Sequence, residues 1–351
     1  MLLSNLHTYY KKVFFRTKYI VWSNSPNALW LFFAQFIKRS RERKYLEKRV
    51  SFGKLNPEIC FYVIRKRPPG NGLFANVNFV LSGIMKAKSL GLVPIVDMES
   101  YWMDEMNEIK KINDTHNSWC YFFEQISPYD LKEVYKSKNV ILSKGSRILA
   151  DSHWFSDKTH LYSTNTALIN LLKTVVNNHI KLNRYTLENL EKVKLELEFN
   201  PKDTLAVFFR GTAYKLNTAE NLPVPTYNFV LESIKDFCKE KSLNKIFIVT
   251  EDYDFYHFLL KELKNEVIIQ NIRFDKELTL EKWRDKKTNS DNSIRMGYEN
   301  NLTYLIEILL ISLCTNAIVS LSNATVFMLA NRNFDNKDTR ILIGDRVLKL
   351  P

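Results

Sequence analysis

The stretch TLAVFFRGTAY, from Thr204 to Tyr214, constrains this chain most, because its apolar run stops abruptly on Arg210 and Gly211. Leu205–Phe209 are five consecutive apolar residues, rich in β-branched and aromatic types and bounded by turn residues. Such a run reads as a strand buried on both faces, which a parallel sheet covered by helices provides. Arg210 then stands at the strand's carboxyl end, where open α/β sheets bind ligands. A guanidinium there offers a planar fork of donors suited to phosphate. Gly211 lets backbone approach closely and Thr212 adds a hydroxyl. An arginine that salt-bridges at a strand end fits this stretch equally well.

With 351 residues, the chain suits two domains of ordinary size rather than one core. A net charge of +13 points to an anionic partner: nucleic acid, an acidic membrane surface or a phosphorylated substrate. Nucleic acid is set aside, because Lys and Arg are spread along the chain without a zinc-finger, recognition-helix or RNA-binding signature. Cys60, Cys120, Cys238 and Cys314 stand far apart with no CxxC pair, as reduced thiols of a cytosolic protein do. The longest apolar stretch near the start, Leu29–Ile37, is too short to span a bilayer, which takes roughly 20 residues. It lies between YYKKVFFRTKYIVW (Tyr9–Trp22) and KRSRERK (Lys38–Lys44). Basic clusters interleaved with aromatic residues suit a helix lying on an anionic leaflet, or one packed on the protein's own core with a solvated basic face. The expected location is cytoplasmic, peripheral on the inner face of the membrane.

Taken in order, residues 1–55 form this basic amphipathic segment. Residues 56–200 then read as one α/β domain and 201–351 as a second, with Asn200 and Pro201 marking the boundary. In the first, Glu58–Arg65 is a strand, a glycine turn follows, GLFANVNFVLSGIMKAKSLG is a helix, and Leu92–Asp97 is the next strand. Gly70 and Gly72 would let the helix N-terminus approach an anion or a sugar hydroxyl, with Asn76 and Asn78 as side-chain contacts; an ordinary tight turn is the alternative. Between Asp97 and Tyr129 lie Tyr101, Trp102, Asn117, Trp119, Tyr121, Phe122, Phe123 and Glu124. That mixture suits a carbohydrate site or, more commonly, an aromatic core. Residues 156–200 read as mainly helical, with Leu187, Leu190, Val193, Leu195 and Leu197 as an apolar stripe. In the second domain, helices are expected at about 227–240 and 301–313, and strands at Lys245–Thr250, Val267–Gln270 and Ala317–Ser320. The strand ends at Arg210, Thr250 and Ser320 should lie along one edge of one sheet, as a nucleotide site. No histidine spacing supplies metal ligands, and the GxSxG and GxGxxG signatures are absent.

With these residues laid out, the chain resembles the fucosyltransferase-like glycosyltransferases of bacterial capsule and lipopolysaccharide synthesis, related to the α-1,6-, α-1,2- and O-fucosyltransferases. The likeness runs from about Pro69 to Ala330. It is carried by GLFANVNFVLSGIMKAKSLGLVPIVD, HNSWCYFFEQIS (His116–Ser127), VFFRGTAY, IFIVTEDYDFY and YLIEILLISLCTNAIVSLSNATV. The resemblance implies a GT-B-like α/β fold, two Rossmann-like domains facing a cleft. It also implies inverting, metal-independent transfer of fucose or a relative from a GDP-sugar, a co-substrate rather than a cofactor, to a glycan or glycolipid hydroxyl.

In that resemblance Arg210, with Gly211 and Thr212, contacts the donor's β-phosphate. Thr250, Glu251 and Asp252 lie near the base, and Ser322, Asn323, Ala324 and Thr325 hold phosphate. Gly72 and Asn76 belong to the N-terminal glycine turn. Glu220, the first carboxylate after the arginine motif, is the expected catalytic base and Glu124 the second choice. Related bacterial sequences read aspartate where this chain has Ala213. A catalytically silent glycan-binding or assembly subunit, or a transferase using another nucleotide-sugar, are the competing readings.

Overall fold

A computed structural model describes residues 46–66, 72–99, 111–145, 165–211, 223–263, 267–270, 298–332 and 338–349. The basic N-terminal stretches, Leu29–Ile37, Tyr101, Trp102, Thr212, Ala213 and Glu220 lie outside them. Glu47–Pro351 forms one compact unit that contains two sheets.

The first sheet has the order β1–β4–β2–β3, from β1 (Lys48–Val50), β2 (Leu55–Arg65), β3 (Val93–Asp97) and β4 (Ser137–Leu142). Helix α1 (Leu73–Ser89) carries the chain from β2 to its parallel neighbour β3, and β4 returns parallel on the other side of β2. α1 sits tightly on the sheet because residue 83 is glycine: a β-carbon there would come within 2.8 Å of Ile64. The short α2 (Leu131–Val134) leads into β4.

The second sheet has the order β10–β9–β8–β5–β6–β7. Its strands are β5 (Thr204–Phe209), β6 (Lys245–Thr250), β7 (Val267–Gln270), β8 (Asn316–Ser320), β9 (Thr339–Leu342) and β10 (Val347–Lys349). β5 to β9 are parallel and only β10 is antiparallel. The chain starts in the middle at β5, winds outward through β6 and β7, then crosses back to β8 on the other side of β5. This is the doubly wound order, and its switch point lies between β5 and β8. Every residue of β5 is buried, as a strand covered on both faces requires.

Alternate residues of β5 face different layers. Leu205, Val207 and Phe209 pack on α5 (Tyr227–Lys241) and α6 (Tyr253–Glu262). Ala206 and Phe208 face the layer of α7 (Tyr298–Leu313) and α8 (Asn323–Asn331), whose core is continuous with α1 and the inner face of the first sheet. That shared core includes Trp119, Tyr121, Phe122 and Phe123, all buried, with Trp119 stacked on Phe123 and Phe122 stacked on Tyr298. Of the two readings of that aromatic segment, the described residues therefore take the core one.

Residues 165–200 hold two helices, α3 (Thr166–His179) and α4 (Arg184–Glu196). The leucine stripe expected there is corrected in part: Leu190 is buried, but Leu187 is 48% and Leu195 79% exposed. At 100° per residue Leu195 lies about 140° round the helix from Leu190, so one face cannot bury both.

Candidate functional site

The carboxyl ends of β5 and β8 are neighbours, and a continuous set of hydrogen bonds runs across the switch point. The Arg210 amide donates to Ser320 Oγ at 2.9 Å. Thr325 Oγ1 donates to the Ser320 carbonyl at 2.5 Å, and Ser322 Oγ accepts from the Thr325 amide at 3.1 Å, capping α8. Ser322 and Thr325 are buried, so their hydroxyls build the turn, and with the Thr325 amide spent on Ser322 the amides of Asn323 and Ala324 are those left at the helix start. A helix start of this kind favours an anion.

Arg210 reaches over this edge with a side chain 30% exposed. Its Nε lies 3.2 Å from Glu251 Oε1, and Glu251 is 28% exposed. Its Nη1 donates to the Tyr304 hydroxyl at 3.2 Å. Glu251 follows directly on Thr250, the residue paired with Phe209 in register, so the ion pair is local to the strand ends. Tyr304 packs edge-on against Phe74 in the first turn of α1, with ring centroids 5.0 Å apart. Phe74 in turn meets Phe327 of α8. Through these rings the N-terminus of α1 is brought up to the switch point of the other sheet.

On the α1 side, Lys66 lies just beyond β2, buried, with Nζ 2.6 Å from Asn76 Oδ1 and 5.1 Å from the centre of the Phe79 ring. Gly72 is the N-cap of α1 and no side chain caps the helix there. Asn78 crosses to α8: its Nδ2 donates to the Asn323 carbonyl at 3.0 Å and to Asn323 Oδ1 at 3.2 Å.

The remaining residues singled out from the sequence serve the scaffold around this edge. Thr250 Oγ1 accepts from the Asp252 amide, and buried Asp252 Oδ1 accepts from the Phe255 amide, capping α6, and from the Tyr227 hydroxyl at 2.8 Å. Burial and the Asp252 carboxylate raise the Tyr227 phenol far above its ordinary value. The open side of Gly211 is filled by the protein itself, because a β-carbon there would lie 2.2 Å from Asp252 Oδ2. Glu124 sits in the connection between β3 and β4 with an exposed side chain; its amide donates to the Lys181 carbonyl and its carbonyl accepts from Trp119 Nε1. The structure thus joins Arg210, Glu251, Ser320, Ser322 and Thr325 in one bonded set, with Asn323 beside it bonded to Asn78, and among the described residues no hydrogen bond or ion pair ties Glu124 to that set.

Tyr304, Ser320 and Lys66 complete the site. Of these only Ser320 was expected at this edge, as the end of a buried strand beside Arg210; nothing marks Tyr304 within an apolar helix pattern. Among the described residues no three His, Cys, Asp or Glu side chains converge to hold a metal ion, and no helix is long and apolar enough to cross a membrane.

No family model and no curated protein matches the chain. Among the solved structures it is similar to are fucosyltransferases. NodZ from Bradyrhizobium is 12% identical with a TM-score of 0.46, over 84% of this chain and 99% of that one. The NodZ α-1,6-fucosyltransferase soaked with GDP-fucose is 13% identical, with a TM-score of 0.45 over 84% and 100%. A mutant of Arabidopsis thaliana FUT1 in complex with GDP is 12% identical, with a TM-score of 0.44 over 83% and 72%. Likeness at this level assigns neither a residue nor a substrate to this chain.

Proposed function

We propose that the protein is an inverting glycosyltransferase that moves fucose or a related sugar from a GDP-sugar to a hydroxyl of a surface glycan or glycolipid. The observation that carries this reading is the placement of Arg210 beside the N-terminus of α8, at the switch point of a doubly wound sheet. In the reaction an acceptor oxygen attacks the anomeric carbon and the bond from that carbon to the β-phosphate oxygen breaks. The leaving diphosphate takes the electron pair. Arg210 and the Asn323 and Ala324 amides at the start of α8 face the charge that develops there, which is the neutralisation the step needs; no metal is invoked. The acceptor's proton passes to a carboxylate, for which Glu220 is the first choice and exposed Glu124 the second.

Arg210 is already engaged by Glu251 and Tyr304, so a diphosphate shares or exchanges these partners rather than filling an empty fork. Arg210→Ala should lower kcat by roughly 10²- to 10³-fold, the cost of one lost transition-state contact. Unchanged turnover by that variant removes the role. Glu220→Gln and Glu124→Gln identify the base: the true one loses kcat while KM stays in place.

The sequence supports a second reading through Ala213, which stands where related chains carry a carboxylate: a catalytically silent glycan-binding or assembly subunit. A thermal-shift screen against GDP, UDP, CMP and their sugars finds the nucleotide, since a ligand selective for the folded state raises its stability. Turnover of the selected sugar nucleotide then separates enzyme from silent scaffold. For the basic N-terminal segment we propose an anionic membrane surface, with binding to phosphatidylserine vesicles that weakens as salt rises. Salt-insensitive or absent vesicle binding contradicts that assignment.

A further inference from the structure

Resting on the nucleotide-sugar reading above, we propose that Asn78 is a sugar contact: its side-chain oxygen accepts a hydroxyl of the sugar attached to the diphosphate at the α8 N-terminus. Asn78 belongs to the second turn of α1, is 3% exposed, and lays its carboxamide on the first residue of α8. Both donors of its amide group are spent there, one on the Asn323 carbonyl and one on Asn323 Oδ1. The backbone carbonyl fixes which end of the amide points that way, because turning Asn78 over would set oxygen against oxygen. Asn78 Oδ1 is left buried with no partner among the described residues. A carboxamide oxygen has two lone pairs, and buried ones are nearly always met by a donor.

The two vacant functions at this spot differ in kind. The α8 N-terminus offers amide hydrogens to an anion, whereas Asn78 Oδ1 asks for a hydrogen. The β-phosphate end of a fully ionised nucleoside diphosphate supplies only the first, because its ribose hydroxyls and base hydrogens lie beyond the α-phosphate. A glycosyl diphosphate supplies both, since its sugar hydroxyls lie within a few bonds of a phosphate oxygen. Asn78 would thereby separate a loaded donor from the spent nucleotide, which have the same base and the same diphosphate.

The test is calorimetric, on the full chain, with GDP, GDP-fucose and GDP-fucose analogues that each lack one sugar hydroxyl. Wild type should bind one analogue about tenfold more weakly than GDP-fucose, and Asn78→Ala should abolish that difference while changing GDP affinity less than twofold. Asn323→Ala, which removes one of the two acceptors but keeps Asn78 Oδ1, should preserve the difference. Parallel losses of GDP and GDP-fucose in Asn78→Ala would mean that the residue only positions α8, and a hydroxyl difference that persists without Asn78 would mean that another group reads the sugar; either overturns the contact. Equal binding of all analogues by wild type also overturns it, without recourse to any variant. Failure of wild type to bind GDP and GDP-fucose sinks the donor reading and this inference with it.

Discussion

Gly211 and Gly72 flank the same site and answer to different demands. At Gly211 a methyl group would press into the Asp252 carboxylate and to within 2.5 Å of the Phe209 ring. Asp252 is the cap of α6 and the partner of Tyr227, so it has little room to retreat. Gly211→Ala should therefore destabilise the protein by about 1–3 kcal/mol, the usual range for overpacking, read from the shift of the urea midpoint. At Gly72 a methyl group meets no atom within 4 Å and the backbone is unstrained, at φ −57°. Gly72→Ala should leave that midpoint within about 0.5 kcal/mol of wild type. If donor binding nevertheless weakens, the glycine is there for a ligand; unchanged binding returns it to an ordinary turn. Sequence reading could mark both glycines as turn residues beside a site, because the strand and helix around them were legible. It could not tell them apart, since the atom nearest to a β-carbon at Gly211 belongs to a side chain 41 residues further on.

The elements themselves were largely written in local pattern. The runs at 58–65, 205–209, 245–250 and 317–320 are all strands, each within three residues of its expected start, because a buried parallel strand needs an unbroken apolar stretch. β4 went unread: SKNVIL has no unbroken apolar run beyond Val140–Leu142, and half its residues are polar. α8 also went unread, its start being singled out only as the phosphate-holding Ser322, Asn323, Ala324 and Thr325, although Ser322 followed by VFMLA carries the cap-and-apolar signature of a helix start. Its cap can be tested directly. Ser322→Ala removes the acceptor of the Thr325 amide and should cost about 0.5–2 kcal/mol in chemical denaturation. Because Thr325 Oγ1 also ties to the Ser320 carbonyl, the loosened turn sits directly beneath the Arg210 amide. The same variant should thus weaken nucleotide binding; a stability loss with unchanged binding would detach the α8 start from the ligand.

Across the whole molecule, the common core that holds the two sheets together also encloses groups that ionise in alkali. Burial pushes the Cys314 thiol up to about 12, and burial with the nearby Glu99 carboxylate pushes Cys120 up to about 11, from an ordinary 9.0. Burial likewise raises Tyr121 of that core to about 12, and against the outer layer of each sheet burial joined by a carboxylate partner raises Tyr135 and Tyr227 strongly. In each case the folded state keeps a proton that the unfolded chain gives up, so the unfolded state binds fewer protons and stability falls as pH rises. Arg332 acts in the opposite sense, since burial lowers it to about 10 and the unfolded chain then holds the extra proton. That compensation begins only near pH 10 and comes from one group against several. Between pH 9 and 10 the thiols act nearly alone, each approaching about 1.4 kcal/mol per pH unit once the unfolded thiol is ionised. Stabilities from urea titrations under reducing conditions at pH 8, 9, 10 and 11 should be level up to about 9 and then decline, by roughly 6 kcal/mol in total. The Cys314→Ala and Cys120→Ala pair should delay the onset by about one pH unit, to where the phenols begin to ionise. A midpoint that holds level to pH 11 in wild type would mean that water reaches these thiols, and hence that the core joining the two sheets is open where the structure closes it.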